Sequence, residues 1–380
     1  MAITPRRITT SLRPTLTLLA LAGMAACDST APEEPAGPAA SVAPATPLAA
    51  ATATVFATGL RFPRGFTWGP DGSLYVAEAG NGGTHSTTPG QCDQVVPPVG
   101  PYTNGGTARI SRIKANGALT NFALGFPSAM NAMGSVVGVA DLAFLHGNLY
   151  ALVAGGGCSH GTRGTPAGVA KVASDGSWHI VANLSAFQAS HPVANPEAED
   201  FEPDGTWYSL VAGTDRLFAV EPNHGELVRI VPETGKVSRI ADISASQGHV
   251  VPTVLALHAG AFYVSNLGTF PINTGAERLF RIDRDGEISV VKGNLTTVLG
   301  LDFDSQGRAY LLETSEGGGF PVPGTGRVVR INFDGTRNVI VKGLFFPTAM
   351  RFGPDHRLYI SNKGFGPPQP GEILRVDVPK

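Results

Sequence analysis

The chain has 380 residues, a formal net charge of -2 and only 15% charged residues. That length supplies ample apolar surface for a core, and the near-neutral balance leaves no basic surplus for nucleic acid or an anionic membrane surface. Its 48 Gly and 30 Pro are spaced at turns rather than gathered in one tract, which favours an all-β chain over a disordered one.

The N-terminus reads as a targeting segment. Arg6, Arg7 and Arg13 form a basic region, residues 16–23 an apolar one too short to span a bilayer, and Ala25-Ala26 precede Cys27. Small residues directly before a Cys resemble a bacterial lipobox. Residues 1–26 are therefore expected to be a lipoprotein-type signal peptide, with Cys27 acylated. Met24 is unusual three residues before such a Cys, so cleavage of an ordinary secretion signal near Ala26 is the alternative. Residues 27–51 are rich in Pro, Ala, Ser and Thr, as a flexible tether is. The domain is thus expected outside the bacterial cytoplasm, held at a membrane only through a lipid, or secreted.

Residues 52–380 alternate strand and turn, and no long stretch of helical periodicity follows residue 50. In residues 62–78 an apolar run, a Pro70-Asp71-Gly72 turn and Leu74-Tyr75-Val76-Ala77-Glu78 predict a hairpin, since Gly accepts the positive φ of a tight turn. The unit returns with strands ending Tyr263-Val264-Ser265-Asn266, Tyr310-Leu311-Leu312-Glu313 and Tyr359-Ile360-Ser361-Asn362, and more weakly at Leu149-Tyr150 and Leu217-Phe218. Each unit continues into a third strand, a turn such as Asn116-Gly117, Asp175-Gly176 or Asp285-Gly286, and a fourth strand. Four antiparallel strands repeated six times predict an all-β, six-bladed β-propeller. The last unit stops before a fourth strand, whereas residues 55–60 look like the fourth strand at 340–344. An N-terminal strand completing the last blade should therefore close the ring and leave no exposed edge. Long loops at 79–107, 154–168, 267–277, 314–326 and 363–371 follow second strands and share a face with the acidic 188–205 segment. That face is the expected site for a small molecule or protein, on a monomer.

Three residues after each aligned Tyr stands the column Glu78, Val153, Glu221, Asn266, Glu313, Asn362. Equivalent positions in a closed ring are expected to face a common axis, where such an oxygen set would suit Ca²⁺ or Mg²⁺. The alternative is a wet channel mouth whose acids are solvated or pair with Arg64, Arg351 or backbone amides. Apart from Cys27, only Cys92 and Cys158 remain, both in long loops of adjacent blades, and an exported protein is expected to bridge them; two free thiols are the alternative. His85, His160, His191 and His249 lie in face-side loops without metal-ligand spacing, Asp283-Arg284-Asp285-Gly286 is a hairpin turn, and no nucleophile or nucleotide-binding motif is present.

Thr58-Gly59-Leu60, Pro63-Arg64-Gly65, Gly69-Pro70-Asp71-Gly72 and the run from Leu74 to Gly80 resemble the opening of the ScyD/ScyE family. Asn195-Pro196, Val251-Pro252-Thr253 and the close from Gly343-Leu344 to Asn362 extend the resemblance over residues 54–380. It departs at Glu221-Pro222-Asn223-His224-Gly225, where the family has Asp-Ala-Gly-Gly-Asn, and at the entry to the third blade. The resemblance implies an exported propeller of unsettled biochemical role and carries over no catalytic residue. Two functions follow as expectations. One is a non-catalytic propeller that binds through its long-loop face. The other is a divalent-metal-dependent hydrolase or lactonase similar to gluconolactonase-like propellers, with Glu221, Asn266, Glu313 and Asn362 as ligands. A quinone-dependent sugar dehydrogenase is a third possibility that no specific residue supports.

Overall fold

The computed structural model describes residues 51–196 and 201–379. The expected signal peptide, Cys27 and the tether up to residue 50 lie outside the described residues. Six antiparallel sheets form, and in five of them the four strands of one repeat lie in sequence order. The first strands are Pro63–Trp68, Val139–Leu145, Ser209–Ala212, Pro252–His258, Val298–Phe303 and Ala349–Phe352, and each packs beside the next, the sixth returning to the first. They surround the axis of a six-bladed propeller, as expected. Ala53–Leu60 pairs antiparallel with Gly371–Val376 and completes blade 6, so the ring closes as the repeat count requires. Blade 1 carries one extra short strand, Val136–Val137, at its edge.

Burial peaks at the second strands and falls toward the outer ones. Second strands such as Leu74–Glu78, Ala309–Glu313 and Leu358–Asn362 are buried at every residue, because adjacent blades cover both faces. Outer strands such as Ile288–Leu295 are largely open. The core lies between blades rather than within one body. Leu152 and Val169 of blade 2 pack with Leu210 and Val228 of blade 3, and Leu312 and Val328 of blade 5 with Ile360 and Leu374 of blade 6.

The hairpins between third and fourth strands explain why glycine recurs there. Gly176 has φ +84°, and a Cβ on it would lie 2.2 Å from the Phe122 carbonyl oxygen in the outer strand of the preceding blade. Gly286, at φ +88°, would meet the Ile240 carbonyl at the same distance. These turns need both the left-handed backbone and the missing side chain. Two short helices, Leu184–Ser190 and Ile243–Gln247, lead out of blades 2 and 3, capped by Asn183 and Asp242, whose side chains accept the backbone N–H of Ala186 and Ala245.

Candidate functional site

The expected cation ring is a set of clasps. Glu78, Glu221, Asn266, Glu313 and Asn362 all end second strands, with the inner strand of their own blade between them and the axis. Each ties the segment entering its blade. Glu78 accepts from the Arg61 N–H (2.5 Å), from Arg109 Nε (2.8 Å) and from the Ser111 hydroxyl. Glu313 accepts from the Thr296 N–H (3.0 Å) and Arg327 Nε (2.5 Å). Glu221 accepts backbone N–H groups of Thr206, Asn223 and His224 at 2.6, 3.0 and 2.5 Å. Asn266 donates to the Val250 carbonyl and accepts from the Arg278 N–H (both 2.9 Å). Asn362 accepts from the Phe345 N–H (2.9 Å) and donates to Glu372 (2.8 Å). Val153, the apolar member of the column, is core. Their oxygens are used within their own blades, and among the described residues no three His, Cys, Asp or Glu side chains come together as a metal-ligand group. The residues present therefore do not fit Ca²⁺ or Mg²⁺ at this position.

The axis itself is held by residues of the inner strands. Asp141 of blade 2 is 3% exposed and accepts four hydrogen bonds. They come from the Leu142 N–H (2.8 Å), the Leu210 N–H of blade 3 (2.8 Å), the Ser209 hydroxyl (3.2 Å) and Arg351 of blade 6 (2.8 Å). Burial pushes its pKa up, against the pull of Arg351 and these donors. Gly65 makes room for it, since a Cβ there would sit 1.9 Å from an Asp141 carboxylate oxygen. Asp302 repeats the device between blades 5 and 6, accepting the Phe303 and Phe352 N–H groups at 2.8 and 2.7 Å. Two side chains span the ring. Arg351 reaches from blade 6 to Asp141 and to the Leu210 carbonyl (3.3 Å), and Tyr208 of blade 3 donates to the Thr348 carbonyl of blade 6 (2.9 Å). They leave a cavity of about 30 Å³, room for about one water.

Above this plug the channel opens on the long-loop face into a cavity of about 460 Å³. All six blades contribute. Arg64 and Tyr208 stand among Val136, Val137, Trp207, Val251, Leu267, Leu299 and Pro321, and Met133, Phe270 and Phe320 reach into solvent. Phe270 and Phe320 are 49% and 71% exposed and stack on each other with ring centroids 5.5 Å apart. The lining contains no Asp, Glu, His, Cys or Lys. Arg64 is its one charged group. Its only hydrogen-bond acceptor among the described residues is the Val136 carbonyl (2.6 Å), and burial pulls its pKa below the ordinary value. Burial pushes the Tyr208 hydroxyl far above its ordinary range, so it stays protonated. The indole N–H of Trp207, 1% exposed, is buried without an acceptor among the described residues.

Two of the long loops are stapled by the Cys92–Cys158 disulfide, as the sequence predicts. His160 is fully buried beneath it. Its Nδ1 bonds the Gly156 carbonyl (2.8 Å) and its Nε2 the Glu202 carboxylate (2.9 Å), which also accepts from Tyr102 (3.0 Å). Burial opposes a charge on His160, but Glu202 and Asp204 outweigh it and raise its pKa. This histidine is an internal ion pair of the loop face. His191 packs on Phe187, and His85 forms a lone bridge with Asn104. Glu277, at the start of the third strand of blade 4, is 2% exposed, and burial pushes its pKa up to about 7 although Arg278 draws it down.

No protein-family model and no curated protein matches the chain. Solved structures do. A Bacteroides thetaiotaomicron protein of unknown function is 12% identical with a TM-score of 0.55, covering 86% of this chain and 76% of that one. A gluconolactonase of Xanthomonas campestris is 11% identical with a TM-score of 0.51, covering 86% and 90%. A candidate glucose dehydrogenase of Thermus thermophilus is 16% identical with a TM-score of 0.51, covering 86% and 100%. At these identities what is shared is the six-bladed propeller.

Proposed function

We propose that the chain is an exported, ScyD/ScyE-like propeller that binds a hydrophobic small molecule in the cavity of its long-loop face without chemically transforming it. The observation that carries this reading is the cavity lining. It has the size and apolar character of a small-molecule site, and it offers no carboxylate, imidazole, thiol or amine to serve as a base or to activate a hydroxyl. Export is supported by the sequence of residues 1–26 and by the Cys92–Cys158 bridge, which an oxidising compartment preserves. Acylation of Cys27 would hold the protein at a membrane surface; the ordered motif set quoted above supports the family reading.

The test is titration of the purified protein with the neutral fluorescent probe N-phenyl-1-naphthylamine. Saturable one-to-one binding is expected, reduced at least about tenfold in Val137→Trp, which fills the cavity from its edge. Binding that is unsaturable, or unchanged in that variant, would overturn the proposal. The competing hydrolase reading predicts lactone or ester cleavage that a chelator abolishes; none is expected here.

A further inference from the structure

Several buried or half-buried arginines elsewhere in the chain meet acids, whereas Arg330, 5% exposed, meets the Asn332 side chain and the Pro379 carbonyl. Arg109 pairs with Glu78 (2.8 Å), Arg239 with Glu226 (2.6 Å), Arg327 with Glu313 (2.5 Å) and Arg351 with Asp141 (2.8 Å). Arg64 does not. Its guanidinium has five N–H donors, of which one is used by the Val136 carbonyl, and no described carboxylate forms an ion pair with it. It stands at the inner strand of blade 1, in the lining of the apolar cavity. A cation kept in apolar surroundings without a counter-charge is costly, and a ligand anion is what would offset the cost. On blades 4 and 5 the rim carries the exposed Phe270–Phe320 stack.

We infer that the cavity is built for an amphiphile bearing a single carboxylate, its anionic end against Arg64 and its apolar body running out toward Phe270 and Phe320. The inference rests on the binding function proposed above and specifies the ligand class. Charge-assisted contact with a guanidinium is bidentate and short, and it discriminates strongly against an uncharged polar end. The site therefore selects an acid over an alcohol of equal length, and rejects a cation.

The experiment uses the purified protein with decanoate, decan-1-ol and decyltrimethylammonium, each below its micelle threshold, competed against N-phenyl-1-naphthylamine at pH 7.5. Decanoate is expected to bind at least about tenfold more tightly than decanol, with no competition from the ammonium. In Arg64→Met the preference for acid over alcohol disappears, and in Arg64→Lys it persists in weaker form. Circular dichroism establishes that the variants are folded; should Arg64→Met not fold, the three ligands on the native protein and on Arg64→Lys decide the matter. Equal binding of acid and alcohol, or an acid preference that survives in Arg64→Met, overturns the inference while leaving a hydrophobic site in place. Failure of the neutral probe and all three amphiphiles would sink the binding function itself.

Discussion

Replacing Arg351 by Met tests what holds the propeller together at its axis. Among the described residues Arg351 forms the only ion pair with Asp141, a carboxylate 3% exposed. Breaking a buried ion pair by removing one partner costs about 3–5 kcal/mol, because the remaining charge is stranded. Here the lower end applies, about 3 kcal/mol, since the Leu142 and Leu210 N–H groups and the Ser209 hydroxyl still solvate Asp141. The expected readout is a lower urea midpoint with an unchanged slope. The pH dependence gives the sign. The folded pKa of Asp141 already lies above its ordinary value, so its ionisation opposes folding, and losing Arg351 raises that pKa further. The penalty in Arg351→Met should thus be largest at pH 8 and shrink as pH falls through the folded pKa. Adding Asp141→Asn should recover part of the loss at pH 8, the pair coupling by roughly 1–3 kcal/mol. A variant within about 0.5 kcal/mol of native, or one whose deficit grows on acidification, would refute the cross-axis ion pair as a structural element.

Glu313→Ala should lower stability by about 3 kcal/mol through loss of its clasp to Thr296 and Arg327, with no change in bound metal by elemental analysis; stoichiometric Ca²⁺ or Mg²⁺ in the native protein that the variant lacks would show the clasp reading to be wrong. Opening the Cys92–Cys158 bridge, which spans 66 residues, should cost up to about 4 kcal/mol on the chain-entropy estimate, read as a urea midpoint shift in Cys92→Ser/Cys158→Ser. Glu277 is predicted to weaken the fold as pH rises through about 7, because its folded pKa lies above the ordinary carboxylate value and its neutral form is the one the site favours. Glu277→Gln should accordingly melt higher than native at pH 8.5 and within a degree or two of it at pH 5; the reverse order would contradict the buried-acid assignment.

The architecture was legible because each blade repeats its own turn chemistry. Pro70-Asp71-Gly72 and its relatives mark most of the hairpins, and the resemblance of residues 55–60 to 340–344 points to the closing strand. The same repetition misled where direction mattered. Recurrence of Glu78, Glu221, Asn266, Glu313 and Asn362 places them at one level of every blade but does not say whether they point to the axis or sideways. The answer was written across the strands: Arg109 stands directly opposite Glu78, Arg327 opposite Glu313 and Glu372 opposite Asn362. An acid facing a basic residue on the adjacent strand is a cross-strand pair before it is a ligand. Asp141 escaped notice for a different reason. Only its position in the otherwise apolar inner strand Val139–Leu145 marks it, and its partners lie 69 and 210 residues away. Arg64 was visible as a residue, but its lack of an acidic partner among the described residues is a property of three-dimensional surroundings that no spacing reveals.

The closing strand also governs when this molecule can become whole. Thr54 and Arg375, hydrogen-bonded across the seam of blade 6, are 321 residues apart, so the first strand of the domain to be made is the last to find its neighbour. Loop-closure entropy makes such a distant contact slow to form. During synthesis the unpaired Ala53–Leu60 and the open flank of blade 6 would coexist as two sticky edges. Ring closure thus depends on the strand Gly371–Val376: a polypeptide cut before it would leave Ala53–Leu60 without its partner and blade 6 with an open edge.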